Sequence, residues 1–173
     1  NGDYAGFTAL TTLNAGTAYV QGWELSYQQQ FTFLPGLLKG LGFSANYTSL
    51  DTHGDFGGAV TRSTGQVAGF IPKTGNLSLS WRHRAISARV LVNYTGDYIS
   101  AYTAASLGRN QYRFKRTIVN VGGSYQFNPK YSLTIDISNL YNEPVSFYRG
   151  IPDQMERTLI TGTTINVGVS GRF

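Results

Sequence analysis

The sequence predicts an all-β protein, namely an antiparallel up-and-down transmembrane β-barrel, with about seven strands in this chain of 173 residues. Three observations predict this fold class: apolar and polar residues alternate in successive runs, the connections alternate between short and long, and aromatic residues collect at both ends of the apolar face. The composition agrees, because 21 glycines, 12 tyrosines and 10 phenylalanines stand beside only 13% charged residues, and aromatic residues fit a pleated surface.

Seven runs show the period of two that a β-strand imposes on its side chains. The last run is the clearest, since Ile165, Val167, Val169 and Phe173 share one face and polar residues occupy the other. Such a strand separates an apolar environment from a polar one. The six earlier runs cover about 17–33, 41–48, 77–82, 86–95, 119–127 and 131–138.

The connections between these runs alternate in length. In an up-and-down sheet, alternate connections lie on the same rim, so one rim has tight turns and the other has long polar loops. This asymmetry is typical of outer-membrane barrels, and it places Phe173 on the short-turn rim. The short connections are 34–40, 84–85 and 128–130, and the long ones, predicted to be loops, are 52–69, 101–112 and 142–159.

Aromatic residues on the apolar face lie near both rims. Trp23 and Phe31 are eight residues apart, which corresponds to a rise of roughly 20 Å in a strand tilted by about 40°. This is near the height of an apolar band between two aromatic girdles. A soluble β-sandwich that buries the same aromatics is the alternative, and it requires a second sheet packed against Val167 and Val169.

The opposite face of the runs is too polar to be packed dry without partners, so it is predicted to face the lumen of the barrel. An eight-stranded barrel has room only for its own side chains, whereas larger barrels enclose water, a channel or a plug. The polar residues on this face are Glu24, Gln28, Gln30, Asn46, Arg82, Arg89, Asn120, Gln126, Asp136 and Arg172.

Composition excludes several classes of protein. Without cysteine, the chain has neither a disulfide framework nor a thiolate metal site. The net charge of +5 is scattered, so nucleic acid is not predicted as a partner. No apolar run approaches the about 20 residues of a membrane-spanning helix. Residues 1–4 do not resemble a signal peptide, so we expect that a leader has been removed or that the chain is a piece of something longer.

Four short motifs occur in an order that is found in a known family. Asn14-Ala15-Gly16 precedes a Gly-x-Glu strand entry within 20–25, and Ile71-Pro72-Lys73 precedes another strand start. Residues 136–144 read DISNLYNEP, similar to an Asn-Leu-Phe-Asn-type motif that closes a penultimate strand. With the terminal Phe173, these motifs resemble those of TonB-dependent outer-membrane receptors over almost the whole chain.

The resemblance implies that residues 1–173 are the C-terminal part of a barrel of about 22 strands, with the plug domain, the TonB-contacting box and the earlier strands upstream. It implies a bacterial outer-membrane receptor that imports a scarce nutrient, such as an iron-siderophore, a vitamin or a carbohydrate, with energy relayed by TonB. Outer-membrane lipid and lipopolysaccharide would surround it. Ile165, Val167, Val169 and Phe173 would then form the signal that the barrel-assembly machinery reads.

A small, complete eight-stranded barrel with a structural or adhesive role is the second hypothesis. Bacterial barrels have an even number of strands, so seven visible runs require either an eighth or a larger barrel. Residues 1–15, an irregular lead-in or a poor strand, would supply the eighth by pairing residues 4–13 with the strand that ends at Phe173. The receptor hypothesis instead predicts two unpaired sheet edges in this chain, or a missing remainder that fills them.

Ligand-binding residues are expected in the long loops. Arginine can hold an anionic siderophore or a carboxylate through two hydrogen bonds. The alternative is that the loop arginines bridge lipopolysaccharide phosphates or pair with carboxylates on neighbouring loops. The candidates are Arg62, Arg109, Arg113, Tyr148, Arg149 and Arg157.

The residues do not predict an enzyme. His83 lies at the short-turn rim and His53 in a loop, and the sequence places no serine beside either, so a nucleophile with its base is unsupported. His53 with Asp51 and Asp55 supplies three ligand types without a fourth. Neither a metal site nor a cofactor is therefore predicted.

Replacing Phe173 with a polar residue is expected to lower the yield of assembled barrel in the outer membrane more than it lowers ligand affinity. The reason is that Phe173 ends the apolar face of the last strand. Heat-modifiable barrel in isolated outer membranes and ligand titration of the purified protein measure the two effects. Normal assembly with lost binding would overturn this prediction.

Overall fold

The computed structural model describes residues 17–54, 65–103 and 106–171, where every regular element other than two short 3-10 helices is a β-strand. All strand pairs are antiparallel, which confirms the predicted fold class. No helix in these residues is long and apolar enough to cross a membrane. The strands are β1 (Ala18–Gln30), β2 (Leu41–Gly54), β3 (Lys73–His83), β4 (Ile86–Thr95), β5 (Tyr98–Ala101), β6 (Gln111–Arg113), β7 (Arg116–Gln126), β8 (Tyr131–Ser138), β9 (Val145–Arg149), β10 (Met155–Leu159) and β11 (Thr164–Gly171).

Seven strands form one large sheet in the order β1-β2-β3-β4-β7-β8-β11. These strands are the seven predicted runs, and each run pairs with the run that precedes it and the run that follows it in the sequence. Within the described residues the sheet is open, since β1 and β11 each pair on one side only. The pairing expected for residues 4–13 lies outside the described residues, as do Arg172 and Phe173.

Tight turns join the strands at the predicted short-turn rim. His83 pairs with Ile86 across a two-residue turn in which Arg84 has a φ of 52°. The 3-10 helix Gly36–Gly40 joins β1 to β2, and the Trp81 indole N–H donates to the Leu37 carbonyl oxygen at 2.9 Å. This bond fixes a girdle aromatic over the turn of the neighbouring hairpin.

The apolar face of the large sheet is uncovered in the described part of the chain. Trp23 is 58% exposed, Val167 67% and Val169 74%. In the described residues no second sheet covers Val167 and Val169, which is the packing that a soluble β-sandwich requires. An apolar surface of this extent is typical of a membrane interface.

The opposite face carries the predicted polar side chains, and several are bonded to each other. Arg89 forms an ion pair with Asp136 at 2.8 Å, and the Asn76 amide donates to Asn46 at 2.8 Å. The two faces of the sheet therefore differ as the alternation predicted.

Two of the three segments predicted as loops contain strands, which corrects that expectation. Segment 101–112 holds the end of β5 and the start of β6, and segment 142–159 holds β9 and β10. These strands form a second sheet in the order β10-β9-β6-β5. The third segment is also shorter than predicted, because β2 continues to Gly54, opposite Ala18. Residues 55–64 lie outside the described residues.

The second sheet adjoins the first at the long-loop rim. Thr95 at the end of β4 pairs with Arg116 at the start of β7, and Tyr98 at the start of β5 pairs with Arg113 at the end of β6. The backbone hydrogen bonds change phase between these pairs, because Phe114 donates its N–H to the Ser146 carbonyl oxygen beside β9 and the Ile99 carbonyl oxygen accepts the Gly69 N–H. The faces of the large sheet therefore do not carry over by simple alternation. Tyr112 and Tyr148 share one side of the second sheet, and Arg113 and Phe147 share the other.

The side chain of Asn139, which is 8% exposed, organises the chain after β8. It accepts the Glu143 N–H at 2.8 Å and donates to the carbonyl oxygens of Glu143 and Gly162 at 3.3 and 3.2 Å. Its backbone has a φ of 54°, a conformation that asparagine tolerates. The predicted motif at Asn139 therefore lies at the end of β8, where its hydrogen bonds fix the course of the chain toward β9.

We expect Val167→Arg to destabilise the protein by about 2–4 kcal/mol, since an arginine near the middle of a lipid-facing strand loses its hydration. Asn166→Arg is the matched control, because Asn166 faces the lumen opposite Asp136. Urea unfolding in lipid vesicles measures both free energies. Equal losses in the two variants would contradict the assigned faces.

Asn139→Ala is expected to cost about 2–4 kcal/mol, because it leaves buried backbone groups unpaired and puts alanine in the left-handed region. Asn142→Ala is the control, since Asn142 has a similar φ of 51° and would incur mainly the conformational cost of about 1–2 kcal/mol. The same unfolding measurement applies. A loss at Asn139 no larger than at Asn142 would show that the side-chain bonds contribute little.

Candidate functional site

The second sheet collects most of the predicted ligand-binding residues at the long-loop rim. One side of this sheet carries a stack of aromatic rings: Tyr112 and Tyr148 pair across β6 and β9 with ring centroids 5.0 Å apart and planes 9° from parallel. Phe114 packs on Tyr148 at 4.5 Å. Tyr148 is only 9% exposed, so the stack joins the two outer hairpins and presents Tyr112 and Phe114 at its more open side.

Burial also affects the phenols of this stack. The pKa of Tyr148 is raised by burial first and then by the Asp97 carboxylate and Tyr112. The pKa of Tyr112 is raised by burial and by Tyr102. Both phenols therefore stay protonated at physiological pH and can donate hydrogen bonds there.

The tips of the two outer hairpins are fastened to each other. Asn110 is fully buried, and its carbonyl oxygen accepts the Gly150 N–H at 3.0 Å. Gly150 has a φ of 66°, and a Cβ there would lie 2.7 Å from the Gly108 carbonyl oxygen. Only glycine permits this approach. The Arg149 guanidinium adds a bond to the Arg109 carbonyl oxygen at 2.8 Å.

A carboxylate holds β6, β9 and β10 together on the side opposite the aromatic stack. Glu156 accepts the Gln111 amide at 2.8 Å and the Arg149 guanidinium at 2.7 Å. The Gln111 hydrogen bond above all, and then Arg149, lowers the pKa of Glu156 below its ordinary value. Arg149 is thus engaged by a carboxylate within the chain.

The side with Glu156 also carries a row of alternating rings and cations. Arg113 lies 6.0 Å from the ring centroids of both Tyr98 and Phe147, and donates to the Tyr98 hydroxyl at 3.2 Å. Arg157 lies 4.6 Å from the Phe147 ring. Such contacts hold a guanidinium over a ring while leaving its edge available for hydrogen bonds.

The structure therefore divides the predicted site residues between two faces and the loop tip. Tyr148 lies on the side of the aromatic stack, Arg113 and Arg157 on the opposite side, and Arg149 in the ion pair beside Arg109. Arg62 lies outside the described residues. Whether any of these residues binds a ligand stays a prediction.

Sequence reasoning missed the partners that organise this region. Glu156, Phe147 and Asn110 were not predicted, although the alternation in Gln111-Tyr112-Arg113 was a signal that these residues form a strand. Asn110 gave no such signal, because its burial depends on a contact with a hairpin 40 residues away at Gly150.

The described residues contain no group of three or more His, Cys, Asp or Glu side chains placed to hold a metal ion. His53 lies at the end of β2, and its predicted neighbour Asp55 is outside the described residues. His83 stacks on Trp81 with centroids 6.1 Å apart, at the short-turn rim as predicted.

The lumen side of the large sheet forms a shallow cavity of about 510 Å³ around the Arg89–Asp136 ion pair. The approach is close because Gly122 has no side chain: a Cβ there would lie 2.5 Å from the Asp136 carboxylate. The cavity is open, and its lining mixes polar side chains such as Arg89 and Asp136 with apolar surface from Trp81 and Ala88.

Comparison with known proteins gives one match. The family model described as "TonB dependent receptor-like, beta-barrel" matches residues 1–140. No curated protein and no solved structure matches the chain significantly. The matched residues include six of the seven strands of the large sheet and the Asn139 motif up to Leu140.

We expect the Glu156 carboxylate to titrate below the ordinary glutamate range, so its contact with Arg149 persists as the pH falls through that range and is lost at still lower pH. Gln111→Ala and Arg149→Met should each move the midpoint upward, because each removes a hydrogen bond that lowers the pKa of Glu156. Carboxyl carbon chemical shifts of labelled protein measure this. An unchanged or lower midpoint in either variant would contradict the assignment.

Proposed function

The chain belongs to the TonB-dependent receptor-like β-barrel family, and from this premise we propose that it is part of an outer-membrane receptor that takes up a scarce nutrient with energy from TonB. The family is one of receptors and transporters rather than enzymes, and it implies an outer-membrane setting. The observation that carries the proposal is the open sheet, apolar and exposed on one face and polar on the other, within the matched residues.

Residues 1–173 are proposed to supply the last strands of a larger barrel. The support is the pair of free edges at β1 and β11 in the described residues. An exposed edge presents unpaired N–H and C=O groups, and these must be paired inside a bilayer. Earlier strands of the same barrel would pair both edges, and a plug domain would meet the polar face around Arg89 and Asp136.

The nutrient is proposed to meet the aromatic side of the second sheet first. Tyr112, Phe114 and Tyr148 support this, because they form an aromatic surface at the long-loop rim with two phenol groups available for hydrogen bonds. Arg109 at the hairpin tip adds a cation. Iron-siderophores, vitamins and carbohydrates all carry groups that such a surface contacts. Uptake of one representative of each class distinguishes between these three kinds of nutrient.

Ile165 and Val167, with Val169 and Phe173, are proposed as the signal for the barrel-assembly machinery. The first three lie on the exposed apolar face of β11, with Ile165 exposed by 62%. Phe173 is outside the described residues. The support is their common face on the strand that would close the barrel.

Uptake by cells with and without TonB tests the proposed function. Cells producing the full protein are supplied in turn with radiolabelled ferric siderophores, cobalamin and maltodextrins. We expect at least one to accumulate above the level of receptor-deficient cells, and only where TonB is functional. Tyr112→Ala should reduce this uptake, with Tyr27→Ala on the lipid side of β1 as the control. Uptake independent of TonB would overturn the proposal.

A further inference from the structure

The short-turn rim of the large sheet carries an excess of positive charge. The segments that meet at this rim contain five lysine or arginine residues and no aspartate or glutamate. Arg82, Arg84 and Lys130 are exposed, and none of them forms an ion pair with a described residue. Their charge is therefore left unbalanced by this part of the chain. The segments are 28–44, 78–90 and 122–134.

These three cations line a single cavity of about 450 Å³. Arg82 lies opposite Ser87, and Ser87 lies opposite Ser124, in one row across β3, β4 and β7. Ser87 is two residues from Arg89, so this row shares the lumen face with the Arg89–Asp136 ion pair. The cavity therefore opens to the lumen and the short-turn rim rather than to lipid.

Two tight turns hold the cations around the cavity. Arg84 occupies the turn between β3 and β4 with a φ of 52°. In the turn between β7 and β8, the Asn128 side chain accepts the N–H groups of Lys130 and Tyr131 at 2.9 and 3.0 Å. β3 and β8 are three strand spacings or about 14 Å apart. Long cationic side chains thus approach the cavity from both of its sides.

Hydroxyl groups lie between the cations. The Ser87 and Ser124 hydroxyl oxygens are 2.7 Å apart. Because one hydroxyl donates to the other, the accepting hydroxyl keeps its own O–H for another partner. Ser132 and Ser170, paired across β8 and β11, also line the cavity.

No carboxylate of the described residues lines this cavity. Asp136 lies farther along the lumen face, where Arg89 is bonded to it at 2.8 Å. The cations at the rim therefore have no acidic competitor beside them. Guanidinium and ammonium groups form their strongest hydrogen bonds with phosphate and carboxylate oxygens.

We propose that this cavity at the short-turn rim binds a small multivalent anion that carries phosphate or carboxylate groups. Arg82, Arg84 and Lys130 bind its charged groups, and the Ser87–Ser124 pair donates a hydrogen bond from the floor. A multivalent anion is favoured because three cations from two hairpins surround one cavity. The inference goes beyond the proposed function, since the site lies at the rim opposite the loops that meet the nutrient.

Isothermal titration calorimetry of the purified full receptor in a non-ionic detergent tests the inference. The probes are pyrophosphate, citrate and short-chain phosphatidylglycerol, with sodium chloride at matched ionic strength as the blank. Phosphatidylglycerol distinguishes a lipid headgroup from a free anion of the same chemistry.

Two double variants, each lacking two positive charges, are compared. The test variant combines Arg82→Gln with Lys130→Gln. The control variant combines Lys39→Gln, on the 3-10 helix of the same rim, with Lys73→Gln at the start of β3, since neither lysine lines the cavity. Ser124→Ala keeps every cation and removes one hydroxyl, so it tests the site even where the test variant does not assemble.

The wild-type protein is expected to bind pyrophosphate or citrate. The test variant should weaken this binding by at least about tenfold, because two charge-assisted contacts are lost, and Ser124→Ala by about threefold. The control variant should leave it unchanged. Absence of binding by both anions, an equal loss in the two double variants, unchanged binding by Ser124→Ala, or binding of phosphatidylglycerol alone would overturn the inference.

Discussion

Pairing of the backbone along one continuous antiparallel ladder is the constraint on which the rest of this structure depends. In a bilayer, every N–H and C=O must be bonded within the protein, and the seven-stranded sheet pairs its strands in an unbroken order from β1 to β11. A strand in such a ladder sends its side chains alternately to the two sides. The lipid face and the lumen face of the whole sheet are therefore fixed together, and a change in one strand's register would exchange them.

The large sheet's alternation does not extend unchanged beyond the membrane band. Between the pairs Thr95–Arg116 and Tyr98–Arg113 the backbone hydrogen bonds change phase, since Phe114 donates its N–H to Ser146 beside β9. The second sheet therefore has two sides of its own. One carries the Tyr112–Tyr148 stack, and the other carries Arg113 and Arg157 beside the rings of Tyr98 and Phe147.

Prediction from the sequence succeeded where alternation was long and failed where it was short. Runs such as 131–138 give several repeats of the period, and β8 has those bounds. β6 has three residues and β10 five, too few repeats to distinguish a strand from a polar loop. The site residues followed the same rule: Arg113 and Arg149 were recognised as loop cations, but their different roles depend on Phe147 and Glu156, which reach them only through pairing.

The sequence by itself determined the fold class, the order of the seven long strands, the face of each residue in them and the rim to which each turn belongs. These properties are local, because the period of two and the turn residues act over a few neighbours. Only the tertiary structure decided that the outer hairpins pair through β6 and β9, that Asn139 and Asn110 are buried joints, and that Arg149 is bonded to Glu156 while Arg113 and Arg157 lie over aromatic rings. Those contacts join residues far apart in the chain, and their geometry exists only once the sheet has formed.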